Sequence, residues 1–192
     1  SGKVEEAIEA SLKRLGMDYV NLYLVHWPVK ETYVSVWKKM EAVYKSGKAK
    51  AIGVSNYQTH HLADLLEEAE IIPAVNQIEC YPYLSQAATI QYCLERNIRP
   101  EAWGPLGAGK SDILTNPVIT EIAKKRGLTP AQVVLGWNLE RGVIVIPKSI
   151  HKERLTENLK CTDFELTDED MTRISALNKN LRLGADPDHF NF

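Results

Sequence analysis

The stretch Tyr19-Val20-Asn21-Leu22-Tyr23-Leu24-Val25-His26-Trp27-Pro28 decides the fold. Residues 19–25 are mostly apolar, β-branched or aromatic and read as a buried strand, and chemically distinctive groups follow only at its carboxyl end. Upstream, Val4, Ile8, Leu12 and Leu15 recur at helical spacing on a helix that Gly16 closes. Downstream, residues 36–44 are helical up to Ser46-Gly47, and 51–54 form a strand ending in Ser55-Asn56. The alternation continues with a helix at 62–69, a strand at 74–78 carrying Asn76 and Gln77, and a helix at 87–96. The next strand leads into Trp103 and the glycine-rich loop Gly104-Pro105-Leu106-Gly107-Ala108-Gly109. Helices follow at 118–125 and 130–139, the latter opened by Thr129-Pro130 as cap and first turn. A last strand at 143–146 leads into Pro147-Lys148-Ser149, and helices at 152–159 and 168–177 close the chain.

This pattern predicts parallel βαβ units with about five strands, in one domain over residues 1–192. In such folds the polar groups that bind and react sit at the carboxyl ends of the strands, where His26, Ser55, Asn56, Gln77 and Trp103 stand. A closed eight-stranded barrel normally takes about 250 residues, so the fold expected is a (β/α)8 barrel type that is incomplete here.

Composition narrows the function. With 23 Lys and Arg against 25 Asp and Glu, the formal net charge of −2 excludes a surface built mainly for nucleic acid or anionic lipid, so any anion site is local. The sequence contains no apolar run long enough to span a membrane, and its start lacks the basic-then-apolar order of a secretory signal, which predicts a cytoplasmic protein. Cys80, Cys93 and Cys161 are too far apart for a paired zinc or redox motif and read as reduced, buried thiols. His60-His61 stands at a helix start with no Cys or third His nearby; it reads as a solvated helix end, with no metal expected.

The segments Leu22-Tyr23-Leu24-Val25-His26-Trp27-Pro28, Gly53-Val54-Ser55-Asn56-Tyr57, Val75-Asn76-Gln77-Ile78-Glu79, Trp103-Gly104-Pro105-Leu106-Gly107, Ile146-Pro147-Lys148-Ser149 and Asp186-Pro187-Asp188-His189-Phe190-Asn191-Phe192 resemble, in order, the signatures of the aldo-keto reductases. The resemblance covers essentially the whole chain. It implies a (β/α)8 barrel that binds extended NADPH and reduces aldehydes and ketones to alcohols. That family works with an Asp, a Tyr, a Lys and a His, of which only the His has a counterpart here, His26. The expectation is therefore the carboxyl-terminal part of such a barrel, with the first three βα units absent from this sequence and the carboxyl terminus complete.

In the implied chemistry a Tyr hydroxyl acidified by a Lys ammonium protonates the carbonyl oxygen as hydride reaches the carbon. His26 orients that oxygen by one hydrogen bond, and Trp27 walls the substrate pocket. Ser55, Asn56 and Gln77 match positions that hold the nicotinamide carboxamide, although Ser55-Asn56 taken alone reads equally well as a helix cap. Trp103 matches the residue that stacks on the nicotinamide, with Gly104 where a Ser is commoner, and Leu106 lies in the loop that follows. Lys148, Ser149 and Arg154 match a 2′-phosphate site favouring NADPH, and Glu157 and Asn158 match adenine contacts; outside the resemblance they read as an ordinary basic helix end. The expected partner is a small carbonyl compound, with the full-length form a monomer and the truncated chain able to self-associate through open strand edges.

Two other readings stand beside this one. Gly104 to Ser111 satisfies the pattern of a triphosphate-binding loop, which predicts a helix opening at Lys110-Ser111, but Asn116-Pro117 interrupts the helical period. A truncated, inactive fragment would serve as a binding or self-associating module.

Overall fold

A computed structural model describes residues 3–190. Its elements alternate as the pattern requires: α1 (Val4–Leu15), β1 (Val20–Val25), α2 (Tyr33–Lys45), β2 (Ala49–Ser55), α3 (Thr59–Glu68), β3 (Val75–Glu79), α4 (Ala87–Glu95), β4 (Arg99–Trp103), α5 (Pro117–Arg126), α6 (Pro130–Glu140), β5 (Ile144–Val145), α7 (Lys152–Leu159) and α8 (Asp168–Ser175). The five strands run in chain order, and the registers that follow are parallel. Among the described residues no helix is long and apolar enough to cross a membrane. Cys80, Cys93 and Cys161 are buried and unpaired with one another.

The chain divides into two compact units. The first comprises Ser1–Gln77, Gln91–Arg99 and Pro187–Phe192, the second Ile78–Ile90 and Pro100–Asp186. In the first, β1 pairs β2 from Val20↔Ala49 to Val25↔Val54, and β2 pairs β3 at Val54↔Asn76 and Ser55↔Gln77. Ile8, Leu12, Trp37, Met40, Val43, Ile52, Val54, Leu62 and Leu65 form its core. Within that core Trp37 donates its indole N–H to the Ile71 carbonyl at 3.0 Å. The buried Glu41 carboxylate accepts the Glu70 and Ile71 amides at 2.8 and 2.9 Å, so its charge is matched by donors where the chain turns toward β3.

In the second unit β4 pairs β5 at Glu101↔Ile144 and Ala102↔Val145. Val133, Val134, Leu135 and Trp137 of α6 are fully buried. Thr129 and Gln132 close a reciprocal cap at the start of α6 with Pro130 behind it, as the Thr-Pro signal predicts. At the other end of this unit Asp170 is buried, accepts from Thr167 and from Arg126, and caps α8. Burial alone would raise its pKa, but those hydrogen bonds hold it below the ordinary carboxylate value.

Two expectations need correction. The first strand is not buried: Asn21 and Leu22 are exposed and Tyr23 to Val25 half-buried, because β1 is paired along one edge alone among the described residues. The last strand is shorter than the predicted 143–146, since only Ile144 and Val145 find ladder partners on β4.

Gly53 fixes the spacing of β2 and β3. A Cβ there would lie 2.6 Å from the Val75 carbonyl oxygen, a backbone atom that cannot swing aside. Gly53→Ala is expected to destabilise the fold by about 2 kcal/mol through overpacking, read from urea unfolding. An unchanged midpoint would contradict this account of the β2–β3 approach.

Candidate active site

In the first unit the carboxyl ends of β1 and β2 meet the middle of β3 and bring His26, Ser55, Asn56 and Gln77 together; β3 runs on to Glu79, so Gln77 stands mid-strand rather than at the strand end expected of it. The Gln77 carbonyl accepts both the Ser55 hydroxyl and the Asn56 amide, each at 2.8 Å. Asn56 donates its side-chain amide to the His26 carbonyl at 3.0 Å and to Ser55 Oγ at 3.2 Å. It does so with φ at 66°, a left-handed conformation that Asn tolerates better than most residues, and from there the chain turns toward α3. Ser55 and Asn56 are buried, Gln77 half-buried, and the His26 ring exposed. Asn56 thus ties the backbone that carries His26 to the end of β2 and the middle of β3.

Trp27, next to His26, lies face to face with Phe190, ring centroids 4.2 Å apart and planes 10° from parallel. Phe190 was not among the predicted site residues, because nothing local links it to a position so far back in the chain. The solvated reading of His60-His61 holds for His60, which is exposed, and fails for His61. His61 is buried, and its Nδ1 accepts the Gln58 backbone N–H at 3.2 Å, half of a reciprocal cap that starts α3. Both imidazoles face Asp188, His60 Nε2 at 2.9 Å and His61 Nε2 at 3.4 Å. Burial, reinforced by His60, lowers the His61 pKa.

In the second unit β4 ends at Trp103, and Gly104 turns the chain with φ at 60°. The buried Glu79 carboxylate accepts the Leu183 and Gly184 amides at 2.7 and 3.0 Å, and a Cβ on Gly184 would stand 2.6 Å from the Trp103 ring. Glu79 therefore fixes the segment that backs Trp103, a role no local signal announces. A cavity of about 520 Å³ lies beyond, lined by Leu106, Pro130, Lys148, Ser149, Arg154, Glu157 and Asn158. A second, of about 560 Å³, is lined by Trp103, Gly104, Leu106, Lys148 and Arg154 among others. The Lys148 and Arg154 side chains are exposed, whereas Asn158 is buried and Glu157 is held by the Thr129 hydroxyl at 2.6 Å. All the second unit's predicted residues thus line these two cavities.

The triphosphate-loop reading is overturned by this geometry. Gly107–Gly109 is a single tight turn with Ala108 at φ 51°, Lys110 follows it outside any helix, a 3-10 turn spans Ile113–Thr115, and the next α-helix opens only at Pro117 under an Asn116 cap. Lys110 and Ser111 therefore present no row of helical amides to a phosphate.

The chain belongs to the aldo/keto reductase family, whose model matches residues 1–179. It is 50% identical over 186 residues to the uncharacterized oxidoreductase YtbE of Bacillus subtilis (strain 168), covering 97% of this chain and 66% of that protein. It is also 50% identical to the glyoxal reductase of the same organism, covering 97% and 67%. A Gox0644 mutant solved in complex with NADPH superposes with a TM-score of 0.93 at 41% identity, covering 100% of this chain and 71% of that one. The chain thus spans about two thirds of the length of the curated relatives it matches.

The lowered His61 pKa has a sign that can be checked. The folded form keeps this imidazole neutral while the unfolded chain takes up a proton near the ordinary value of 6.5, so stability is full above that pH and falls as the pH drops below it. His61→Gln, which keeps an acceptor for the Gln58 N–H, is expected to flatten that loss in thermal unfolding between about pH 7 and pH 5. An unaltered pH dependence would contradict the assignment.

Proposed function

We propose that the protein reduces small aldehydes and ketones with NADPH, glyoxal-like dicarbonyls among them. The observation that carries this reading is the cationic cavity of the second unit, where Lys148, Ser149 and Arg154 gather beside Glu157 and Asn158. Two cations and a hydroxyl at one mouth suit a phosphate monoester, and the fork of Arg154 favours the 2′-phosphate that distinguishes NADPH from NADH. The family match, the glyoxal reductase relative and the NADPH-bound neighbour point the same way.

Bound NADPH supplies the hydride. In this reading Ser55 and Gln77 offer polar atoms to the carboxamide, while Asn56 ties their two strands together. Trp103 offers a ring face for stacking, and Leu106 an apolar contact at the cavity mouth. His26 donates a hydrogen bond to the substrate oxygen as negative charge develops there, and Trp27 bounds the space beside it. Protonation of that oxygen falls to a Tyr and Lys pair, with its Asp, that the family resemblance implies and this sequence does not match. The reading takes the active protein to be longer than this sequence, with those groups in the part of its relatives that this chain does not cover.

Arg154→Ala and Lys148→Ala in the intact protein are each expected to weaken NADPH binding about tenfold while changing NADH binding by no more than about twofold. His26→Ala is expected to lower kcat for carbonyl reduction by about two orders of magnitude with cofactor affinity retained. Fluorescence titration with each nucleotide and steady-state NADPH oxidation check both. Equal losses for the two nucleotides, or full turnover without His26, would contradict the reading.

A further inference from the structure

The end of the described chain is anchored twice within the first unit. Asp188 Oδ1 lies 2.9 Å from His60 Nε2 and 3.4 Å from His61 Nε2, and two residues later Phe190 covers the face of Trp27. Just before the first anchor Pro187 is buried, and the group borders a cavity of about 350 Å³ that Lys30 and Tyr33 also line.

Two imidazole nitrogens and a carboxylate oxygen this close also resemble the edge of a small cation's coordination shell. His61 decides against a cation. Its Nδ1 takes the Gln58 N–H, so the single proton of the neutral ring sits on Nε2 and points at Asp188. A metal at Nε2 would require that nitrogen bare and would break the α3 cap, and the Lys30 ammonium lines the same cavity. The remaining charged neighbour, Asp64, is engaged by the Tyr33 hydroxyl at 2.5 Å. Two N–H donors on one carboxylate oxygen describe a hydrogen-bonded clamp.

We propose that Asp188 is a positioning residue, gripped by His60 and His61, that holds Phe190 on Trp27 and so fixes the wall beside His26. A single aromatic stack does not offset the backbone entropy of ordering the several residues that carry it, so the stack depends on the clamp two residues before it. The consequence for substrate binding rests on the reductase reading; the clamp itself does not.

The test is peptide-resolved hydrogen exchange of residues 186–190 in the intact protein, alongside NADPH-dependent kinetics with a small and a bulky aldehyde. Asp188→Ala and His60→Ala are expected to speed exchange of the tail amides about three- to tenfold, and His60→Gln, which keeps an N–H donor, to hold it within about twofold of the parent protein. Asp188→Ala is also expected to raise KM for the small aldehyde about three- to tenfold with kcat held within about twofold, because a wall is lost and no reacting group is. Unchanged tail exchange in Asp188→Ala overturns the proposal, as does stoichiometric zinc binding by the parent protein that is lost in His60→Ala. An exchange difference with no turnover in any form, parent included, supports the clamp and contradicts the reductase reading instead.

Discussion

One carbonyl organises the first unit's candidate site. The Gln77 oxygen accepts the Ser55 hydroxyl and the Asn56 amide together, which is possible only because β2 and β3 are parallel with Ser55 opposite Gln77. That register depends on Gly53, where the absent Cβ lets the backbones of the two strands meet. Asn56 then adopts its left-handed conformation and reaches the His26 carbonyl, so the end of β1 is set by the end of β2 and the middle of β3. The position of the His26 backbone is therefore set by strand pairing, and its ring is exposed.

In the second unit Lys148 and Arg154 line one cavity with Ser149, Glu157 and Asn158. Lys148 follows β5 and Arg154 sits in the first turn of α7, so their separation is set by the short link through Ser149, whose hydroxyl accepts the His151 amide. Glu157, one turn further on, is engaged by the Thr129 hydroxyl, and its backbone carbonyl accepts from Gln132. The residues that cap α6 thus also hold α7.

Much of this was legible in the sequence because it is local. The α1 helix ends at Gly16 with φ at 63°, the α6 cap is Thr129 with Gln132, and β2 ends at Ser55, all within a residue or two of expectation. Periodicity predicts which face of a strand is apolar but not whether a neighbour covers it, and so β1 was misjudged. The phosphate-loop pattern is met by residue types alone, which do not specify the backbone; the Asn116-Pro117 interruption argues against it, and Ala108 in a left-handed turn agrees. The pairings of Asp188 with His60 and His61, of Phe190 with Trp27, and of Glu79 with Leu183 and Gly184 join positions too far apart in sequence for any periodic signal to reveal. Such long-range polar partners are chosen by the folded backbone, and only the backbone shows them.

The central claim is that the cationic cavity of the second unit receives the 2′-phosphate of NADPH. A crystal structure of the intact protein with NADPH tests it most directly. The account predicts the 2′-phosphate within hydrogen-bonding distance of Lys148, Ser149 and Arg154. A 2′-phosphate bound elsewhere, with those side chains left in solvent, would contradict it.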